Sequence, residues 1–240
     1  MTLVRSLIYV AYLYTAMALC VILLGPVALM SPRHGMLGPQ AWAHMAIWGL
    51  RVICGGRVRV EGAENVPPGG VLVASKHQAM LDTLTPFFVL KRPAIVLKKE
   101  LRSMPLFGWY AQRVGMIVID REGYAAALKQ MLRDARERAA EGREIVIYPE
   151  GTRQELDAPP DYKPGVAALY RDLGVPCVPV AVSTGLIWSA HGIIRRPGEA
   201  VVKFLPPIAP GLSRDDFMRE LETRIETETA ALVAAGRAKQ

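Results

Sequence analysis

The stretch Ser75-Lys76-His77-Gln78-Ala79-Met80-Leu81-Asp82 holds two side chains suited to moving a proton, His77 and Asp82, five positions apart. A neutral imidazole accepts a proton near pH 7, because its ordinary pKa is about 6.5, and a nearby carboxylate can hold its tautomer and stabilise the imidazolium. The same two residues can equally form a plain surface hydrogen bond. Backbone geometry limits what they do together. Five residues of uninterrupted α-helix turn through about 500°, leaving the side chains roughly 140° apart and out of reach. If the pair is to meet, the chain must bend between them.

The flanking sequence supplies such a bend. Gly70–Ala74, a short apolar run opened by glycines, predicts a buried strand, and the run from Asp82 to Leu90 predicts a helix with Asp82 in its first turn. His77 then stands at a strand exit, a recurrent place for ligands and catalytic groups in α/β sheets. Three other apolar runs end in charged residues. Ala94–Leu97 leads into Lys98-Lys99-Glu100, Gly115–Ile119 into Asp120-Arg121, and Glu144–Pro149 into Glu150-Gly151-Thr152-Arg153. Singly these are ordinary turn formers. In a parallel sheet all of them would gather along the edge that carries His77. In the last cluster glycine permits close backbone approach, threonine offers a donor, and arginine can grip a phosphate through two hydrogen bonds.

Further strands are predicted over Val175–Val182 and Ala200–Leu205. Helices are predicted over Tyr124–Glu141, Pro164–Leu173 and a closing amphipathic Asp215–Ala235. This alternation predicts a single α/β domain, residues 56–240, with a mixed, largely parallel sheet flanked by helices. Residues 1–55 form a different unit. Ser6 to Pro32 carries no charge, long enough to cover the roughly 20 apolar residues a bilayer core requires. Its apolar stretch is too long for a cleaved signal peptide and has no small-x-small cleavage site after it. A shorter apolar stretch, Pro39–Gly55, places Trp42 and Trp48 where tryptophans suit the headgroup zone. Either a helical hairpin partly within one leaflet or one spanning helix plus an interfacial one accommodates this pattern.

The chain is 51% hydrophobic yet carries a net charge of +7. Up to Val60 its only charged residues are Arg5, Arg33, Arg51, Arg57 and Arg59. A basic, strongly apolar amino-terminal end favours an anionic lipid surface over nucleic acid as partner. Cys20, Cys54 and Cys177 lie in apolar surroundings without paired spacing, as small core residues in a reducing compartment. Neither a metal-ligand spacing nor a glycine-rich nucleotide loop is present, so no metal is expected.

The blocks His77–Asp82, Gly115–Arg121, Tyr148–Arg153 and Val175–Val182, in this order and spacing, resemble the four blocks of the glycerolipid acyltransferase family, most closely its 1-acyl-sn-glycerol-3-phosphate acyltransferases. Lys98–Trp109 and Asn65–His77 add to the match, which spans roughly residues 56–204. Lys76 stands where the family often has asparagine, and Tyr148 where phenylalanine is usual. The resemblance implies transfer of a fatty acyl group from a thioester to the sn-2 hydroxyl of lysophosphatidate, forming phosphatidate in phospholipid biosynthesis.

His77 would then be the general base and Asp82 its orienting partner. Lys98, Arg121 and Arg153 would hold the acceptor phosphate. N–H groups around Gly151 and Thr152 would meet the oxyanion or acceptor, and Glu150 would order the loop or contact the acceptor. Acyl-CoA or acyl-acyl-carrier protein would be the co-substrate, with no other cofactor. The bilayer would be the chain's other partner, placing it at the cell inner membrane with the catalytic domain on the cytoplasmic face. The residues also admit another lysolipid acceptor, such as a lyso-ornithine lipid, ester or thioester hydrolysis, or a membrane-anchored lipid-binding protein without turnover.

Overall fold

The structure is a computed structural model that describes residues 1–120 and 123–239. Its seven strands are β1 (Gly56–Glu61), β2 (Val71–Ser75), β3 (Ala94–Lys98), β4 (Ile117–Ile119), β5 (Glu144–Ile147), β6 (Cys177–Val182) and β7 (Gly198–Phe204). They form one sheet in the order β1-β7-β6-β2-β5-β3-β4. Strands β2 to β6 are mutually parallel, whereas β7 pairs antiparallel with β6 and β1 lies parallel to β7. Every residue of β2, β5 and β6 is buried, as continuous apolar strands should be when helices cover both faces of a parallel sheet. Strand β1 was not resolved as a separate run in the sequence: Arg57 and Arg59 stay exposed at the sheet edge and break its apolar pattern.

Helices α5 (Tyr124–Ala140), α6 (Gly165–Leu173) and α7 (Arg214–Arg237) cover one face. Helix α7 starts at Ser213, whose hydroxyl accepts from Asp216 N–H, with Asp215 and Asp216 in the positive first turn. It turns Phe217, Leu221, Ile225, Thr229 and Val233 inward, four residues apart, and Phe217 stacks on Tyr170 of α6.

The other face carries α3 (Leu81–Val89) and α4 (Phe107–Arg113), together with the amino-terminal pair α1 (Thr2–Met30) and α2 (Leu37–Gly49). Helix α1 is long and apolar enough to cross a membrane, but it lies along the α/β domain. Near its start Ser6 Oγ accepts from Arg195 N–H at 2.8 Å. Near its end Arg113 donates to the carbonyls of Ala28 at 2.8 Å and Leu29 at 2.6 Å. Those anchor points are separated by about 33 Å of helix at 1.5 Å per residue. Between them Tyr9 donates to Ala46 O, Tyr12 to Met45 O, and Trp42 of α2 to Leu13 O, each at 3.0 Å. The outer face of α1 stays apolar and open, with Leu7, Ile8, Ile22 and Leu23 all exposed.

Candidate active site

The chain leaves β2 and keeps one more ladder bond, Lys76 N–H to Val180 O at 2.9 Å, before bending through His77–Met80 into α3. Asp82 closes this bend. From the first turn of α3 its Oδ2 accepts from the N–H groups of Gln78 at 2.6 Å and Ala79 at 2.7 Å, both in the bend that precedes the helix. The same oxygen lies 3.1 Å from His77 Nδ1. The bend required by the five-residue spacing is thus made by one member of the pair.

Asp82 Oδ1 accepts from Thr184 Oγ1 at 2.5 Å. The carboxylate is fully buried, while the His77 side chain keeps 12% of its surface exposed. An ionised carboxylate only accepts, so the proton of neutral His77 sits on Nδ1 and Nε2 is the lone-pair nitrogen. Tyr148 stacks on the imidazole with ring centres 4.3 Å apart and donates its hydroxyl to Asp82 O at 2.8 Å. Burial first, and the Asp82 charge second, push the Tyr148 phenol well above its ordinary pKa, so it remains a protonated donor.

The exit of β5 makes the second wall. Gly151 adopts φ 71°, a left-handed conformation that favours glycine, and its N–H donates to Tyr148 O at 2.9 Å. Gly151's own N–H is therefore used inside its turn. Among the described residues, the following N–H groups of Thr152 and Arg153 have no such partner. The loop is tied down by Gln154 N–H to His77 O at 2.8 Å and by Lys163 N–H to Pro149 O at 2.9 Å.

Glu150 turns inward. Its Oε1 lies 2.7 Å from Lys76 Nζ, and its Oε2 accepts from His77 N–H at 3.4 Å. Burial raises the Glu150 carboxyl above its ordinary range, with the Lys76 ammonium pulling the other way.

A cavity of about 1300 Å³ runs along this sheet edge. His77, Lys98, Gly151, Thr152 and Arg153 line its polar part, and Met17, Trp42, Phe87, Phe107 and Tyr110 line much of its apolar part. The structure thus brings together all the sequence-predicted site residues that it describes; Arg121 lies outside the described residues. Lys99, beside Lys98, pairs with Asp120 at 2.9 Å. Among the described residues no three His, Cys, Asp or Glu side chains form a possible metal-binding group, and Cys20, Cys54 and Cys177 are buried free thiols.

Thr184 was missed by sequence reasoning, and so were the burial of Lys76 and the stacking of Tyr148. Thr184 follows β6 as His77 follows β2, so the strand-exit pattern applied to a fifth parallel strand is the signal that points to it.

The arrangement sets a tautomer-fixed imidazole beside cations and an apolar channel, chemistry suited to deprotonating a hydroxyl on an amphiphile. The sequence model of a family described as Acyltransferase matches residues 57–183. Among curated proteins, the chain is 34% identical to a 1-acyl-sn-glycerol-3-phosphate acyltransferase of Pseudomonas aeruginosa over 81% of this chain and 76% of that protein. A protein of the same name from Limnanthes douglasii is 31% identical over 82% of this chain and 69% of its own length. Among solved structures, the 1-acyl-sn-glycerophosphate (LPA) acyltransferase of Thermotoga maritima superposes with a TM-score of 0.81 at 21% identity. That likeness covers 97% of this chain and 98% of the other and concerns the fold.

Proposed function

The chain belongs to the acyltransferase family, and on that footing we propose that it acylates the sn-2 hydroxyl of lysophosphatidate to give phosphatidate. The observation that carries this reading is the His77–Asp82 contact at 3.1 Å beside a long, mostly apolar cavity whose polar part holds Lys98 and Arg153. The cations suit a phosphomonoester and the apolar walls suit acyl chains.

His77 Nε2 takes the proton of the acceptor hydroxyl as its oxygen bonds to the thioester carbonyl carbon. Asp82 stabilises the imidazolium that results. The tetrahedral oxyanion is met by the N–H groups of Thr152 and Arg153. When the C–S bond breaks, the imidazolium returns its proton to the departing thiolate. The substrate supplies the nucleophile, so no acyl-enzyme is needed. The donor is acyl-CoA or acyl-acyl-carrier protein, and no further cofactor takes part.

The anchoring of α1 at both ends supports a helical pair lying in one leaflet, with the catalytic domain at the surface. Such a position spares a lysolipid from being drawn into water, which costs about 0.8 kcal/mol per methylene. Because thioester donors are cytosolic, the domain sits on the cytoplasmic face of the inner membrane.

The test is incubation of purified protein with an acyl thioester and a panel of lysolipids, following thiol release and lipid product. Lysophosphatidate should be the best acceptor, and His77→Ala should lose on the order of 10³-fold in rate. Strong activity confined to acceptors without a phosphomonoester would overturn the acceptor assignment. Fatty acid release without any acceptor would mark a hydrolase.

A further inference from the structure

Lys76 sits one residue before the catalytic base, with its side chain only 3% exposed. Its backbone is fixed by the ladder bond to Val180, so its ammonium reaches a defined place behind the active site. There Nζ meets Glu150 Oε1 at 2.7 Å, and Glu226 Oε1 and Oε2 at 2.9 and 3.1 Å. Glu226 lies on the carboxyl-terminal helix α7 and accepts in turn from the Tyr162 hydroxyl at 2.8 Å. The Glu150 side chain is fully buried and that of Glu226 is 27% exposed.

One ammonium thus stands between two carboxylates that would otherwise repel each other. A buried ion pair is weak evidence for stability, since desolvation of its charges offsets much of their attraction. The placement of the second Glu150 oxygen is more informative. Oε2 faces the backbone N–H of His77, so the carboxylate that Lys76 holds is also the partner of the base's own amide.

We propose that Lys76, held by Glu226 of α7, is a positioning residue that keeps Glu150 against the His77 amide and so sets the base relative to the Tyr148–Arg153 loop. The inference rests on the acyl transfer proposed above. Without the ammonium, Glu150 becomes a buried carboxylate beside Glu226, with no cation to compensate it. It then swings away toward solvent, releasing the loop and the His77 backbone together. Because Lys76 does not itself line the cavity and reaches His77 only through Glu150, its loss should fall on turnover rather than on acceptor binding.

The experiment compares Lys76→Met, Lys76→Arg and the double variant Lys76→Met/Glu150→Gln with wild type, each checked for an intact thermal transition. Displacement of a catalytic group by about 1 Å costs around 100-fold, so K76M should lose about that factor in kcat, with KM for lysophosphatidate within roughly twofold. K76R, which keeps the charge, should recover most of the loss. The double variant should exceed K76M by about tenfold, because a neutral amide oxygen still accepts from His77 N–H without needing a counter-cation.

A second measurement does not depend on turnover. Selective ¹⁵N-histidine labelling gives few amide signals in a chain with four histidines, and the His77 amide should exchange at least about tenfold faster in K76M. Wild-type kcat with unchanged exchange in K76M would overturn the proposal, as would a double variant no better than K76M. If wild type transfers no acyl group, the functional reading fails, while amide exchange still decides the role of Lys76.

Discussion

Thr184 Oγ1 donates to Asp82 Oδ1 at 2.5 Å, joining the exit of β6 to the first turn of α3 across 102 positions of sequence. Oδ2 of the same carboxylate already serves the N–H groups of Gln78 and Ala79 and faces His77 Nδ1. Thr184 therefore fixes the rotation of the carboxylate that orients the His77 imidazole. Thr184→Val keeps the shape but leaves a buried carboxylate oxygen without a donor, a deficit of about 1–3 kcal/mol. Steady-state kinetics should show kcat reduced about tenfold or more, with Thr184→Ser close to wild type. Equal activity of the valine and serine variants would remove Thr184 from the catalytic machinery.

This contact also marks where sequence reading stops. The bend between His77 and Asp82 was legible because a five-residue gap on a helix is geometrically barren, and the flanking runs named a strand and a helix. The sheet edge was legible because apolar runs ending in charge recur after β2, β3, β4 and β5. Strand order was not, since the placement of β6 beside β2 depends on packing of runs that all read alike. Thr184 and Glu226 reach the site only through that order. Glu150 could equally have faced the acceptor or the loop in the sequence; its inward turn follows from the position of Lys76, whose burial no local pattern announces.

Burial gives Glu150 a pH signature. Its folded-state carboxyl is raised, so between the ordinary carboxylate value and the raised one the folded chain keeps a proton that the unfolded chain releases. Stability from this group is therefore present below that interval and lost as pH rises through it. The groups facing it are Lys76, which opposes the shift, and Glu226, which adds to it. Glu150→Gln cannot titrate. Thermal unfolding over a pH series should show wild-type stability relative to E150Q falling as pH rises from about 4 and then levelling. A difference that grew with pH would mean that the Lys76 ammonium outweighs burial.

Arg153 is exposed, lines the cavity with His77, and belongs to a loop held in place by Gln154 N–H on His77 O. Its proposed work is electrostatic recognition of the acceptor's phosphate. Arg153→Ala should raise KM for lysophosphatidate by about tenfold, the scale of one charge-assisted hydrogen bond. Lysolipids without a phosphomonoester should be used no worse than by wild type, so the panel narrows from the phosphate side alone. A uniform loss over all acceptors would assign Arg153 to the oxyanion or to the loop's structure instead.

Leu23 belongs to the exposed face of α1 with 69% of its surface open, whereas Tyr9, Leu13 and Ala16 of the same helix pack inward. A carboxylate there meets no protein core, so Leu23→Glu should leave the thermal transition unchanged. If the face is immersed, the charge must sit in hydrocarbon or pull the helix toward the headgroups, a penalty of up to about 3 kcal/mol at the bilayer centre and less near the interface. L23E should then co-sediment less with anionic vesicles and lose around tenfold in activity on vesicle-borne lysophosphatidate. A short-chain acceptor presented in solution should be acylated at the wild-type rate, because the His77–Asp82 pair and the polar part of the cavity are untouched. Equal sedimentation of L23E and wild type would mean that this face of α1 does not enter the lipid.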